Sequence, residues 1–138
     1  MVGIAGLESF SAVNGDAVVP LHVGKSVRQQ GVGVRVLALV ADIAFRQLRL
    51  NRLTSYIRAG NEVSHRISTR VGFQVEGCLR QAWFTDGRHV DMLVVGPLTD
   101  EWMARRTALS AELDGSPTVS FGHDASPSWS WPPKTADG

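Results

Sequence analysis

The amino-acid sequence predicts an α/β domain from three features met in order along the chain. Residues 28–50 form a long apolar segment of helical period, entered through Gly31 and Gly33. Two short strand patterns, residues 17–23 and 52–58, flank it, and strands joined through a helical crossover pair in parallel. Asp86-Gly87 then links two longer strand patterns, residues 73–84 and 88–95, as an antiparallel hairpin. The expected fold is therefore a mixed sheet flanked by helices.

The helix rests on its period. Val34, Leu37, Val40, Ala41, Ala44 and Leu48 recur at helical spacing, and Val36, Leu39, Ile43 and Leu50 widen the apolar face. Arg35, Asp42, Arg46 and Arg49 leave only a narrow polar stripe, so most of the helix should be buried. The first amide N–H groups of a helix lack internal partners, and glycines there let a bound group reach the backbone. Together with the helix dipole they make an anion site, each contribution being about 0.3–1 kcal/mol. The spacing alone fits a diphosphate-binding helix mouth and a glycine turn packing a buried helix equally well.

The flanking elements follow from local rules. Pro20 cannot donate a ladder hydrogen bond, which places residues 17–23 at an edge or gives that strand a bulge. Residues 52–58 alternate Leu53, Ser55 and Ile57 against Arg52, Thr54 and Tyr56. Residues 62–71 form a second helix, with Asn61 as N-cap, Glu62 at its positive end and Gly72 as its stop. In the hairpin, the turn sets Trp83 opposite Val90, Gln81 opposite Met92 and Leu79 opposite Val94, with Arg80 diagonal to Asp91. Glu76, Arg80 and Asp91 read either as a catalytic set or as a surface charge ladder. Residues 100–113 form a short amphipathic helix capped by Thr99 or Asp100, with Trp102 over the core.

Composition bounds the function. A chain of 138 residues, 43% apolar and 20% charged, suits one globular domain with one core. A net charge of +1 gives no reason to expect nucleic acid. The single cysteine, Cys78, cannot close an internal disulfide, which suits a reducing cytoplasm. No apolar run reaches about 18 residues, so nothing is expected to span a membrane. The N-terminus lacks the basic start of a secretory signal. His22, His65, His89 and His123 lack metal-ligand spacing, and no metal is expected. Residues 1–15 show no period and are expected to be irregular. Residues 16–113 form the domain. Residues 114–138 hold four of the six prolines with isolated Trp129 and Trp131, and are expected to be a disordered tail.

Two phosphate motifs fail. Gly24-Lys25-Ser26 resembles the end of a P-loop, but the required first glycine falls at Val19. Gly31-Val32-Gly33 resembles the start of a dinucleotide fingerprint, but its third glycine falls at Val36. A family pattern does fit. Arg28-Gln29-Gln30-Gly31-Val32-Gly33 resembles the acetyl-CoA motif Arg/Gln-x-x-Gly-x-Gly/Ala of the GNAT N-acetyltransferases. Asn61-Glu62-Val63-Ser64, Gly72-Phe73-Gln74-Val75-Glu76-Gly77 with Arg80, Asp86-Gly87 with Asp91, and Glu101-Trp102 follow in order. They are similar to the ribosomal-protein alanine acetyltransferase branch, over roughly residues 16–105.

The resemblance implies a GNAT-like mixed sheet lacking the N-terminal strands and helices, because only about sixteen residues precede the first strand pattern. It implies that the strands at 17–23 and 52–58 splay apart and admit the pantetheine of acetyl-CoA. Arg28, Gln29, Gln30, Gly31, Val32 and Gly33 would hold the diphosphate, and Asn61 would contact the cofactor besides capping its helix. Ser64, otherwise an exposed helix serine, would protonate the departing CoA thiolate. No glutamate stands on the strand at 17–23, where family members often use one to order a catalytic water. The implied activity is acetyl transfer from acetyl-CoA to an amine, such as a protein N-terminal α-amine. The alternative is a truncated, catalytically weak CoA-binding remnant, with a homodimer forming through the exposed sheet edge.

Overall fold

The computed structural model describes the backbone of residues 3–23, 27–113, 118–120 and 128–130, and side chains within residues 6–20 and 31–113. Its centre is a five-stranded mixed sheet. In spatial order its strands are β2 (Glu8–Ser11), β3 (Asp16–Val18), β5 (Arg52–Arg58), β7 (Arg88–Gly96) and β6 (Gln74–Thr85). Only β3 and β5 run parallel, with Ala17 opposite Leu53, as their helical crossover requires. The other neighbours are antiparallel. Two strands, β1 (Gly3–Ala5) and β4 (Leu21–Val23), form a separate antiparallel pair.

The expected strand over residues 17–23 is thus two strands, β3 and β4, broken at Val19-Pro20. Proline has a fixed φ and no N–H, so the ladder with β5 cannot continue through it. Residues 1–15, where no period is visible, supply β1 and β2. Their residue-to-residue alternation is too short to register in sequence. β2 covers the outer side of β3, so the open edges of the main sheet are β2 and β6.

The helix α1 (Val27–Asp42) begins seven residues, about two turns, before Val34, the first position of its apolar period, and continues as a π-helical turn over Ile43–Gln47. In the second helix, α2 (Glu62–Val71), Asn61 caps as expected, accepting the Ser64 N–H at 3.3 Å. Gly72 ends it at φ 102°. The third helix, α3 (Thr99–Glu112), starts one residue earlier than expected, so its N-cap is Leu98 rather than Thr99 or Asp100. The Leu98 N–H donates to Glu101 Oε1 at 2.8 Å, while the Thr99 hydroxyl donates to the Leu50 carbonyl at 2.7 Å. All three helices share one core with the sheet: Leu37, Ala41, Leu53, Ile57, Ile67, Val71, Val95, Trp102 and Leu109 are buried together.

The Asp86-Gly87 hairpin forms, and Trp83 faces Val90. Further down, the register departs from expectation: Leu79 faces Met92 and Gly77 faces Val94. The cause is a bulge between Leu79 and Trp83. Gln81 sits there at φ 53°, and its N–H donates to Asp91 Oδ1 at 2.9 Å. Asp91 is therefore engaged with backbone, and Glu76 is ion-paired with Arg52. Of the tail, Thr118–Ser120 (β8) pairs antiparallel with Ser128–Ser130 (β9), and the remaining tail residues lie outside those described.

Gly96 ends β7 where the backbone of β5 comes close. A Cβ there would run into the Leu53 carbonyl oxygen, with the carbonyl carbon at 3.0 Å. Gly96→Ala should therefore lower unfolding free energy in urea by about 1–3 kcal/mol or more, because neither backbone can yield. Gly77→Ala, with nothing within 4 Å of the added Cβ, should cost less than about 1 kcal/mol. Equal stability of the two variants would contradict this packing.

Candidate active site

The site begins where β3 ends. Even-numbered residues of β5 direct their backbone groups toward β3: Arg52 N–H donates to Gly15 at 3.1 Å, and the Thr54 carbonyl accepts from Val19 N–H at 2.8 Å. Odd-numbered residues face β7, as Leu53 N–H to Pro97 and Ala59 N–H to Asp91 show. Tyr56 is next on the β3 side. In an unbroken parallel ladder its N–H would donate to the Val19 carbonyl. The Ser55 hydroxyl takes that carbonyl instead, at 2.8 Å, and the chain turns at Pro20 into β4. Among the described residues the Tyr56 N–H has no acceptor. The two strands part here, as the resemblance implied.

A cleft of about 210 Å³ opens beside this parting. The first turns of α2 form one wall with Asn61, Ser64 and Ser68, and Ser55 and Ile57 of β5 lie beneath them. Tyr56 and Arg58, which alternate with Ser55 and Ile57 along β5, complete the lining with Trp83 and Met92. Ser64 is 7% exposed, buried rather than on the helix surface as an amphipathic reading suggests. Its position follows from the cap: Asn61 holds the Ser64 N–H, which fixes the first turn of α2 against the cleft.

The structure brings Asn61 and Ser64 together. Arg28, Gln29 and Gln30 occupy the first turn of α1, and their side chains lie outside the described residues. Gly31, Val32 and Gly33 lie further along the same helix. The unpartnered N–H groups of α1 therefore belong to its first turn and precede the glycines expected at its mouth. The Gly31 carbonyl accepts from Arg35 Nη1 at 3.2 Å. α1 and α2 both pack against β4, so the motif helix and the Asn61–Ser64 turn border the same strand.

Sequence reasoning passed over Ser55, Tyr56, Arg58, Ser68, Trp83 and Met92. The alternation along β5 separates Ser55 from Tyr56, but only the broken ladder shows that both border a gap. Asp42 was also missed. Read as part of a solvated stripe, it accepts from Arg106 Nε at 2.6 Å and Trp102 Nε1 at 3.2 Å, tying α1 to α3. Among the described residues no cluster of His, Cys, Asp or Glu could hold a metal ion.

A parallel strand pair that separates beside a capped helix, with a glycine motif on the crossover helix, is the arrangement that the resemblance implied. The family model for acetyltransferase (GNAT) domains matches residues 1–74, just over half of the chain. This chain belongs to the GNAT acetyltransferases. It is 28% identical over 102 residues to Putative ribosomal N-acetyltransferase YdaF of Bacillus subtilis (strain 168), covering 74% of this chain and 56% of that protein. It is 26% identical over 102 residues to Uncharacterized N-acetyltransferase p20 of Bacillus licheniformis, covering 74% and 57%. The chain thus spans little more than half the length of these relatives.

Solved structures agree. The crystal structure of a "Probable acetyltransferase" aligns at a TM-score of 0.67 with 28% identity, over 74% of this chain and 57% of that one. Spermidine N-acetyltransferase from Vibrio cholerae, in complex with CoA and spermine, aligns at 0.66 with 17% identity, over 74% and 60%. At that identity the likeness shows the fold alone.

Proposed function

We propose that this chain binds acetyl-CoA across the first turns of α1 and along the parted edge of β5, and transfers its acetyl group to an amine. The observation that carries this reading is the Tyr56 N–H, without an acceptor among the described residues, beside Asn61 and the buried Ser64. An extended amide-bearing chain can satisfy that N–H where β4 has withdrawn. Arg28, Gln29 and Gln30 are the residues to hold the diphosphate through first-turn N–H groups and the helix dipole, with Gly31, Val32 and Gly33 forming the next turn beside it. Asn61 orients the pantetheine while its side chain keeps the cap.

Acetyl-CoA supplies an activated thioester. The neutral acceptor amine attacks its carbonyl carbon, the C–S bond breaks, and the nitrogen gives up a proton to solvent as the amide forms. The Ser64 hydroxyl gives its proton to the departing thiolate and recovers one from solvent. Holding amine and thioester together is the larger contribution, on the order of 7–11 kcal/mol for full pre-orientation. A protein or peptide N-terminal α-amine is the acceptor we favour, because YdaF bears the name of a ribosomal N-acetyltransferase. The Vibrio cholerae neighbour holds spermine, so polyamines are the competing class.

Gly31→Glu tests the cofactor assignment. A Cβ at Gly31 would meet only the flexible end of Arg35, at 3.3 Å, so the variant should fold. Its carboxylate would repel the diphosphate, and calorimetry should show at least a tenfold loss of CoA affinity. Unchanged affinity in the folded variant would remove this site from the motif.

Ser64→Ala tests the acid. A group acting only in the transition state shows in kcat and kcat/KM together. Turnover should fall about 100-fold, within the ordinary range for such catalysis, with CoA affinity retained. Turnover equal to that of the unaltered chain would return Ser64 to a packing role.

A further inference from the structure

The two walls of the cleft differ in chemistry. The α2 wall is polar, with Asn61, Ser64 and Ser68, whereas the wall around the other face of β5 presents Trp83 and Tyr56, 48% and 47% exposed, beside Met92. Exposed aromatics at the rim of a cleft are available surface for an apolar group, and aromatic rings supply large contact area at little entropic cost. Arg58 stands on the same wall, half-buried, and its guanidinium has no hydrogen-bond or ion-pair partner among the described residues.

Charge points the same way. Among the described residues no carboxylate lines the cleft. The nearest on β7, Asp91, is held by the Gln81 N–H across the hairpin bulge. A linear polycation entering the cleft would meet the Arg58 guanidinium and, among the described residues, no lining carboxylate to offset it, which penalises it by the rules of complementarity.

We infer that the acceptor is an α-amine on a carbon bearing an apolar or aromatic side chain, with Trp83, Tyr56 and Met92 receiving that side chain. Arg58 takes the carbonyl oxygen one carbon away, and polyamines are excluded. This rests on the acetyl-transfer reading above and narrows its substrate class. An α-amine with an adjacent carbonyl offers both groups that this wall can use; a simple alkylamine offers one, and a polyamine neither.

The test separates binding from transfer. The CoA-saturated chain is titrated calorimetrically with phenylalaninamide, leucinamide, glycinamide and spermidine. Acetyl transfer to the same four amines is measured in parallel. Phenylalaninamide and leucinamide should bind at least tenfold tighter than glycinamide, in line with the discrimination one apolar group provides. Spermidine should bind more weakly than all three. In Trp83→Ala the preference for phenylalaninamide over glycinamide should collapse toward unity, a ratio that a merely structural role for Trp83 would leave in place. Selective binding without transfer supports this inference and defeats the transfer reading, while transfer without selectivity does the reverse. Equal binding of all four, binding of none, tighter binding of spermidine, or a preference that survives Trp83→Ala would overturn it.

Discussion

One hydrogen bond, from the Ser55 hydroxyl to the Val19 carbonyl, stands at the point on which the cleft depends. Val19 is fully buried, and its carbonyl must find a donor there or cost about 1–3 kcal/mol. In a continuous sheet that donor would be the Tyr56 N–H. Ser55 supplies it from a side chain instead, and Pro20 prevents the next ladder step. The parallel pair thus ends without an unsatisfied carbonyl, and the unspent donor, Tyr56, is left facing the gap. A site for an extended ligand arises from three adjacent local facts: a proline, a serine and a register.

The helices hold this arrangement in place from behind the sheet. Asp42 joins α1 to α3 through Arg106 and the indole of Trp102, and Trp102 itself is fully buried. Arg105 reaches from α3 to the Arg70 carbonyl at the end of α2, at 2.8 and 2.9 Å. These contacts fix the two helices that border β4 relative to one another. Because the Asp42–Arg106 pair is half-buried, losing Asp42 would remove the carboxylate from a partly desolvated arginine, the expensive direction for such interactions.

Much of this was legible in sequence. The period of 3.6 gave α1 its buried face, Asn61 and Gly72 bounded α2, Asp86-Gly87 placed the hairpin, and alternation identified β5. The GNAT motif and the parting strands followed from resemblance. What escaped was contingent on three-dimensional neighbours. β1 and β2 are three and four residues long, too short for any period to show. The hairpin register slipped because the left-handed Gln81 inserts a bulge that no glycine or asparagine announces. Asp42 looked like a solvated charge because its partners lie 60 and 64 residues away. Trp83 and Arg58 looked like ordinary strand residues until the cleft between them and α2 was seen.

The central claim is that the gap beside β5 receives the cosubstrate's backbone-like amides, and it is tested most directly at the Tyr56 amide. Hydrogen exchange resolved by residue should be measured with and without saturating CoA. Tyr56 should exchange rapidly in the free chain and slow markedly when CoA is bound. Ile57, whose neighbours in β7 already pair with it, should be little changed. Exchange at Tyr56 that is slow in the free chain, or unaltered under full CoA occupancy, would contradict the account.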